Sequence, residues 1–344
     1  MEISVVNGHR IQSKTLNNPL NYKDIYSSYT YAQLYEEIEN GEAVSYTFEN
    51  EYGIVDYTFI KRKIPFLVEG KQFYDITTAY GYGGLEISNV TDSEALLDTY
   101  FKAFHDYCQT NDIVSEFIRF HLFENEEIKK YFYGEIGLIG SHISRNLNDP
   151  IDCNFHNTIS RAARKAERLG LHVSFDTSGE SVDDFLNVYT ETMDRNNAKD
   201  FYYFDKKFFE KLHHHLKDQF IYANAVYEDK TVSSILVLFG EKYAYFFLGG
   251  TLQEYLSTDA STFLQYNVIQ YLKEKGLDYY TLGGGYKGND GLYRYKKKFD
   301  KQGVYPFHVG KKVHDLDVYN KLVEMSASKG DIDTESSFFP LYRM

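Results

Sequence analysis

The chain carries no tryptophan, only two cysteines, and 37 basic residues against 50 acidic ones, for a net charge of −13. Each shortage excludes something. Cys108 and Cys153 are too few and too far apart for a disulfide framework or a zinc site, so a reducing cytoplasm is the expected compartment. The acid excess argues against a protein that grips duplex DNA through a broad basic face, although it leaves room for a small basic patch. Long apolar runs are missing as well. The longest, "ILVLF" at 235–239, is far too short to span a bilayer. The opening "MEISVVNGHRIQSK" lacks the basic-then-apolar order of a signal peptide. The expectation is a soluble cytoplasmic protein with no membrane insertion.

What is abundant is aromatic: 33 tyrosines and 26 phenylalanines, rings that serve cleft walls as well as cores. A length of 344 residues favours two domains over one. Alternation in "AVSYTFENEYGIVDYTFI" predicts a hairpin over 43–60, and "KQFYDITTAYGYGGLEI" adds a short strand and a glycine loop. The spacing of Leu97, Tyr100, Phe101, Phe104 and Cys108 predicts a helix capped by Asp92 or Ser93, and "IVSEFIRFHLF" a further strand. The second half repeats this grammar. Three near-continuous apolar strands fill 220–250, a helix closes at Gly276, and "DYYTL" is a strand. Leu292, Tyr295 and Phe299 give a helical face, and "GVYPFHVGK" is a last strand. The expected fold is α+β and duplicated, each copy a mixed, mainly antiparallel sheet flanked by helices, with the join near Asp149-Pro150. The expected domains are 1–150 and 151–330, with a tail at 331–344.

The stretch "YYTLGGGYKGNDGLYRYKKKFD", Tyr279–Asp300, reads as G-x-G-x-x-G through Gly283, Gly285 and Gly288. It sits near the C-terminus, leads into a short helix and has no following βα unit, which excludes a dinucleotide fingerprint. Asn289-Asp290 stand where a P-loop needs Lys-Ser/Thr. Two readings survive: backbone at Gly283, Gly284 and Gly285 passing close to a ligand beside positive side chains, or a tight turn before a helix. In "NTISRAARKAERLG", Ile159, Ala162, Ala166 and Leu169 form one face, and Arg161, Arg164, Lys165 and Arg168 the other. That stripe is either a landing site for phosphates or carboxylates or a solvated face. "YDITTAYGYGG" combines Tyr80 and Tyr82 with glycines in a manner suited to sugars, or is a hairpin turn. "FIRFH" sets Arg119 and His121 on one strand face. Asp194 and Arg195 end a helix before an aromatic cluster, as a substrate clamp or a capped terminus. His213–His215 are consecutive, lack metal-ligand spacing and read as surface residues, so no metal is expected.

The segments "FYDITTAYGYGG", "FIRFH", "ISRAARKAERLGL", "ETMDRNNAKDFYYF" and "LGGGYKGNDGLYRYKKKF", in that order, resemble the FemAB-like acyltransferases, built of two GNAT-type (acetyltransferase-fold) domains. The resemblance covers most of the chain and is to the compact kind, without a coiled-coil arm. It implies transfer of an acyl group from a carrier, acyl-CoA, to an amine of an amino sugar or of a cell-envelope or polysaccharide precursor, such as a sugar nucleotide. The alternative donor is aminoacyl-tRNA, with a peptidoglycan precursor as acceptor; a non-catalytic binding module is the second alternative. In the family's Gly-Leu-Tyr-x-Phe-Lys stretch the lysine falls on Lys296, with Tyr295 in the phenylalanine position. Lys296 is therefore the expected cation for the carbonyl oxygen. Arg195 matches the family's arginine, and with Arg161 is expected to meet anionic parts of a ligand. Tyr80, Tyr82, Arg119 and His121 are expected to line an acceptor cleft. The resemblance departs at "EYLSTDASTF", Glu254–Phe263, where a standard acetyl-CoA domain has a glycine-rich pyrophosphate loop. Here no glycine pair occurs, and Asp259 would repel phosphate.

Overall fold

The computed structural model describes residues 2–6, 9–14, 23–328, 330, 333 and 336–344. Two units emerge from the contacts. One comprises residues 1–22, 26–139 and 307–344; the other comprises 23–25 and 140–306. The chain therefore crosses within a strand at 139/140 and returns within another at 306/307, and residues 307–344 rejoin the first unit instead of ending the second.

The first unit is built from β1 (Glu2–Val6), β2 (His9–Lys14), α1 (Tyr29–Gln33), β3 (Gly41–Asn50), β4 (Gly53–Val68), β5 (Lys71–Thr77), β6 (Leu85–Ser88), α2 (Ser93–Thr110), β7 (Ile113–Arg119), α3 (Glu126–Tyr131) and the start of β8 (Glu135–Asn146). Its strands run β1-β2-β3-β4-β5-β7, antiparallel except for the parallel β5–β7 pair. Asp92 caps α2 by accepting from the Ala95 N–H at 3.0 Å, and Leu97, Tyr100, Phe101, Phe104 and Cys108 are buried as the spacing demands. They pack on the inward residues of the β3–β4 hairpin, Tyr46, Phe48, Tyr57 and Phe59, so much of the tyrosine excess is core.

The second unit holds the rest of β8, then α4 (Ile159–Arg168), β9 (His172–Asp176), α5 (Val182–Arg195), α6 (Lys206–His215), β10 (Phe220–Tyr227), β11 (Lys230–Phe239), β12 (Tyr243–Thr251), α7 (Ala260–Glu274), β13 (Tyr279–Gly283) and α8 (Gly291–Lys297). The strand order is β8-β13-β12-β11-β10-β9, again antiparallel except for one parallel pair, β12–β13. Strands β10 and β11 are buried on both faces, which explains their unbroken apolar sequence. Finally β14 (Val304–Val313) and α9 (Leu316–Ala327) lead into the C-terminal residues. Residues 309–313 of β14 pair with β7.

The two units share one grammar: an antiparallel meander, a helix, a parallel strand, then an antiparallel neighbour. That last neighbour is exchanged along the chain. β8 follows β7 but pairs with β13, whereas β14 follows β13 but pairs with β7. Element order cannot reveal such an exchange, which is why a linear split near 150 was expected. The stretch expected as a join is a clamped loop. Arg145 is buried; it donates to Pro150 O at 2.7 Å and to Cys153 O, stands 3.4 Å from Asp300, and lies over the Phe155 ring.

Candidate active site

The two parallel pairs differ, and the difference selects the second unit. β5 and β7 stay paired from Tyr74↔Ile113 to Thr77↔Phe117, with one register shift between Tyr74 and Asp75, and the Thr78 N–H still reaches Phe117 O. β12 and β13 share only Tyr243↔Tyr279, Ala244↔Tyr280 and Tyr245↔Thr281. Beyond them β12 runs on to Thr251 with no strand on that side among the described residues, while β13 turns into the glycines. A bulge in β12, where Leu248 and Phe246 face Leu236 and Val237 and Phe247 is extra, bends it at the parting point. The parted stretch, from Phe246 to Thr251, is about 17 Å of strand edge.

Lys296 sits at the head of this gap. Its Nζ donates to Gly284 O at 2.8 Å and lies 5.6 Å from the centre of the Phe246 ring. Among the described residues it has no carboxylate partner at ion-pair distance, although the Asp290 charge on its own helix acts on it from farther off. Burial pulls its ammonium down from 10.5 to about 8. The helix that presents it is started by Asp290, whose Oδ1 accepts from the Tyr293 N–H at 2.9 Å and whose Oδ2 accepts from Tyr286 and Lys287 N–H at 2.7 and 3.0 Å. These backbone donors hold the Asp290 carboxyl below its ordinary range. Around it the three glycines have separate causes. Gly283 takes φ +81°. A Cβ on Gly284 would fall 2.7 Å from the His142 ring, and one on Gly285 2.4 Å from Asp290 Oδ1. The close approach read from the sequence is thus to the chain's own side chains. On α8 the buried residue is Tyr293; Leu292, expected inward, is exposed.

His142, on β8, was not singled out in the sequence. Burial, and second to it the Lys296 charge, press its imidazole down to about 3, so it is neutral at any ordinary pH. No local pattern marks it; only the β8–β13 pairing brings it to Gly284. Tyr295 turns the other way, toward Ser261 and Thr262 at the start of α7, and burial pushes its hydroxyl up to about 12. Its oxygen is enclosed without a hydrogen bond of ordinary geometry.

The start of α7 carries Asp259 in the left-handed region, at φ +63°, making no side-chain cap. Lys165 of α4 donates to its Oδ2 at 2.7 Å and to Ser257 O at 2.9 Å. The residues here do not form a glycine cradle for a pyrophosphate, and a carboxylate stands in its place. The buried face of α4 is Ile159, Ala163 and Ala166; Ala162 is half-buried and Leu169 is exposed, a shift of one position from the expected face. Arg161, Arg164 and Arg168 are exposed. Backbone bonds from His156 N–H to Lys298 O (2.7 Å) and from Lys301 N–H to Asn154 O (3.0 Å) tie the approach to α4 to the end of α8. Arg294, Lys297 and Lys298 therefore extend the same basic surface.

Arg195 ends α5, beside the far end of β12. Its Nη1 is ion-paired with Glu191 at 3.5 Å and its Nη2 donates to Thr192 Oγ1 at 3.5 Å; Nη1 is enclosed and makes no hydrogen bond of ordinary geometry among the described residues. Thr192 Oγ1 also accepts from the Thr251 N–H, at 3.1 Å. Of the histidine run, His213 is half-buried, bonded to the Tyr222 hydroxyl at 2.8 Å, so it is no surface residue.

In the first unit, Arg119 is the last residue of β7 and His121 lies past the strand's end, so they do not share a strand face. His121 is buried and its Nδ1 accepts from the Phe123 and Glu124 N–H groups, both at 3.1 Å, closing a turn. Tyr82 is buried, edge-on to Tyr26 and Phe307, and belongs to the core instead of a cleft wall. Tyr80 is exposed.

Residues 154–297 match the family model of the acetyltransferase (GNAT) domain. The solved structure of FemX is similar over 87% of this chain and 94% of that one, at a TM-score of 0.66 and 12% identity. L-PGS from Bacillus licheniformis is similar over 86% and 95%, at 0.55 and 14%. The C-terminal domain of a putative lysylphosphatidylglycerol synthetase from Agrobacterium fabrum follows over 83% and 88%, at 0.53 and 13%. No curated protein matches the sequence. Residues 154–297 therefore carry a GNAT acetyltransferase domain, and the chain as a whole shares the fold of FemX.

Proposed function

We propose that the gap between β12 and β13 is the transfer site, and that the acyl group arrives on a phosphate-rich carrier. The observation that carries this is Lys296, a charged side chain without a carboxylate partner among the described residues, held at the head of the parted strands. An acceptor amine attacks the carbonyl carbon and a C–N bond forms. The carbonyl electron pair moves to oxygen, where the Lys296 ammonium offsets the charge; a desolvated cation is worth far more there than in water. The tetrahedral species then expels the carrier's sulfur or oxygen, and the proton lost by the amine balances the one the leaving group gains. Neutral His142, pressed on Gly284, keeps a second positive charge away from Lys296. Arg195, whose enclosed Nη1 has only a long 3.5 Å ion pair to Glu191, is read as a ligand to an anionic or carbonyl group at the other end of β12.

Two donors fit this reading. The amide-bearing arm of an acyl-CoA suits an unpaired strand edge, because it can take up ladder hydrogen bonds. An aminoacyl-tRNA is favoured by Asp259 at the start of α7, which opposes a pyrophosphate there, and by Arg161, Arg164, Arg168, Arg294, Lys297 and Lys298, which offer a polyanion a surface outside it. The test incubates the full chain with labelled acetyl-CoA or aminoacyl-tRNA, each with amino sugars, sugar nucleotides and muropeptides, and identifies products by mass. Transfer from one donor alone settles the carrier. Transfer from neither to any amine, with a folded chain, overturns the site.

A further inference from the structure

Arg119 in the first unit carries a charge that no carboxylate among the described residues meets at ion-pair distance. Its backbone N–H donates to Thr78 Oγ1 at 3.0 Å, and its Nη1 donates to Thr77 Oγ1 at 3.2 Å and to Thr78 O at 2.9 Å. The guanidinium lies 4.9 Å from the Phe117 ring centre. Every one of these partners is neutral. The neighbouring charges are already matched: Arg62 binds Asp75 at 2.8 Å and Glu39 at 2.5 Å, and Arg343 binds the same Asp75. Glu39 and Arg62 both act on Arg119, so three guanidiniums share two carboxylates, and Arg119 is the one of the three without an ion pair among the described residues. Burial, the larger cause, and Arg62 both press its proton affinity below the usual range. A desolvated surplus cation is costly unless something anionic joins it.

The surroundings hold this arginine rigidly. Thr78, which accepts both from its backbone N–H and from its Nη1, opens a glycine loop fitted closely to its neighbours. A Cβ on Gly83 would fall 2.9 Å from Thr78 Cβ, and one on Gly84, at φ +102°, 2.0 Å from Asn125 Oδ1. The Tyr31 hydroxyl donates to Tyr80 O at 2.6 Å, fixing the backbone from which Tyr80 projects, and Tyr80 is near enough to act on the Arg119 charge. Nη1 is committed, whereas Nε and Nη2 make no hydrogen bond among the described residues. Those two donors form the planar fork that grips an oxyanion through both of its oxygens.

We propose that the first unit contains an oxyanion-binding site in which Nε and Nη2 of Arg119 receive one phosphoryl or carboxylate group of a small ligand, beside the exposed ring of Tyr80. The site stands apart from the transfer reading and does not need it. The full chain is titrated with inorganic pyrophosphate and, separately, with succinate, following heat of binding and thermal unfolding. The wild type binds one of the two and melts higher with it. Arg119→Gln weakens that binding at least tenfold, and Arg119→Lys, which keeps the charge but loses the fork, weakens it several-fold. The triple variant Arg161→Gln, Arg164→Gln, Arg168→Gln, on the second unit, retains it. Full binding by Arg119→Gln, loss only in the triple variant, or no binding of either anion by the wild type overturns the proposal. Should Arg119→Gln fail to fold, Arg119→Lys decides by the same measurement.

Discussion

The role given to Lys296 makes a pH profile the sharpest test. With its ammonium at about 8, the side chain is about nine-tenths charged at pH 7 and about one-tenth charged at pH 9. If the charge stabilises the oxyanion, kcat/KM is level below about 8 and then falls nearly tenfold per pH unit. The assay needs an acceptor whose own amine titrates below pH 6, so that the amine is neutral throughout and contributes no rising limb. Lys296→Arg keeps the charge and moves the falling limb beyond pH 10, even if misplacement lowers the plateau. Lys296→Met removes the limb altogether and lowers kcat by roughly 10²–10³, about 2.7–4 kcal/mol, the cost of losing one oxyanion donor. Stability should move the opposite way. The lysine binds its proton more weakly folded than unfolded, so below pH 8 its burial costs the fold, and that cost fades as pH rises from 8 toward 10.5. Lys296→Met should therefore melt no lower than wild type at pH 7. A rate that rises through pH 8 with the neutral acceptor would make Lys296 a base and refute the oxyanion role. A Met variant with unchanged kcat would remove it from the reaction.

Gly284→Ala forces a methyl to within 2.7 Å of the His142 ring and should cost about 1–3 kcal/mol in thermal unfolding, with a tenfold or larger loss of kcat as the Lys296 acceptor shifts. Arg145→Met strands buried Asp300 and unties the loop at 150–153, so chemical denaturation should show a loss of about 3–5 kcal/mol. Replacing Arg161, Arg164 and Arg168 by glutamine should raise the donor's KM and flatten its dependence on salt while leaving kcat unchanged, a split read from kinetics at two ionic strengths.

Much of the local structure was settled by the chain's own chemistry. The face of α2, the β3–β4 hairpin, the three strands β10–β12 and the stop at Gly276 all follow from periodicity, capping and turn residues, interactions that reach only a few positions along the chain. The repeated order of elements announced two similar units, and the motifs around Lys296 and Arg195 carried a family resemblance. What lay beyond local rules was pairing. Nothing in "GSHIS" marks His142, and nothing in the order of strands tells that β8 and β14 exchange partners, because hydrogen-bond partners in a sheet are chosen over more than a hundred residues. The same holds for the site. Alternating Tyr80 and Tyr82 look alike as letters, yet one is exposed and the other is core, and His121 is spent on closing a turn. Two parallel strand pairs arise from the same grammar, but only β12–β13 parts. A bulge and a glycine turn set that parting, and it is tertiary packing, through His142 against Gly284 and Phe246 beneath Lys296, that leaves a cation facing the gap.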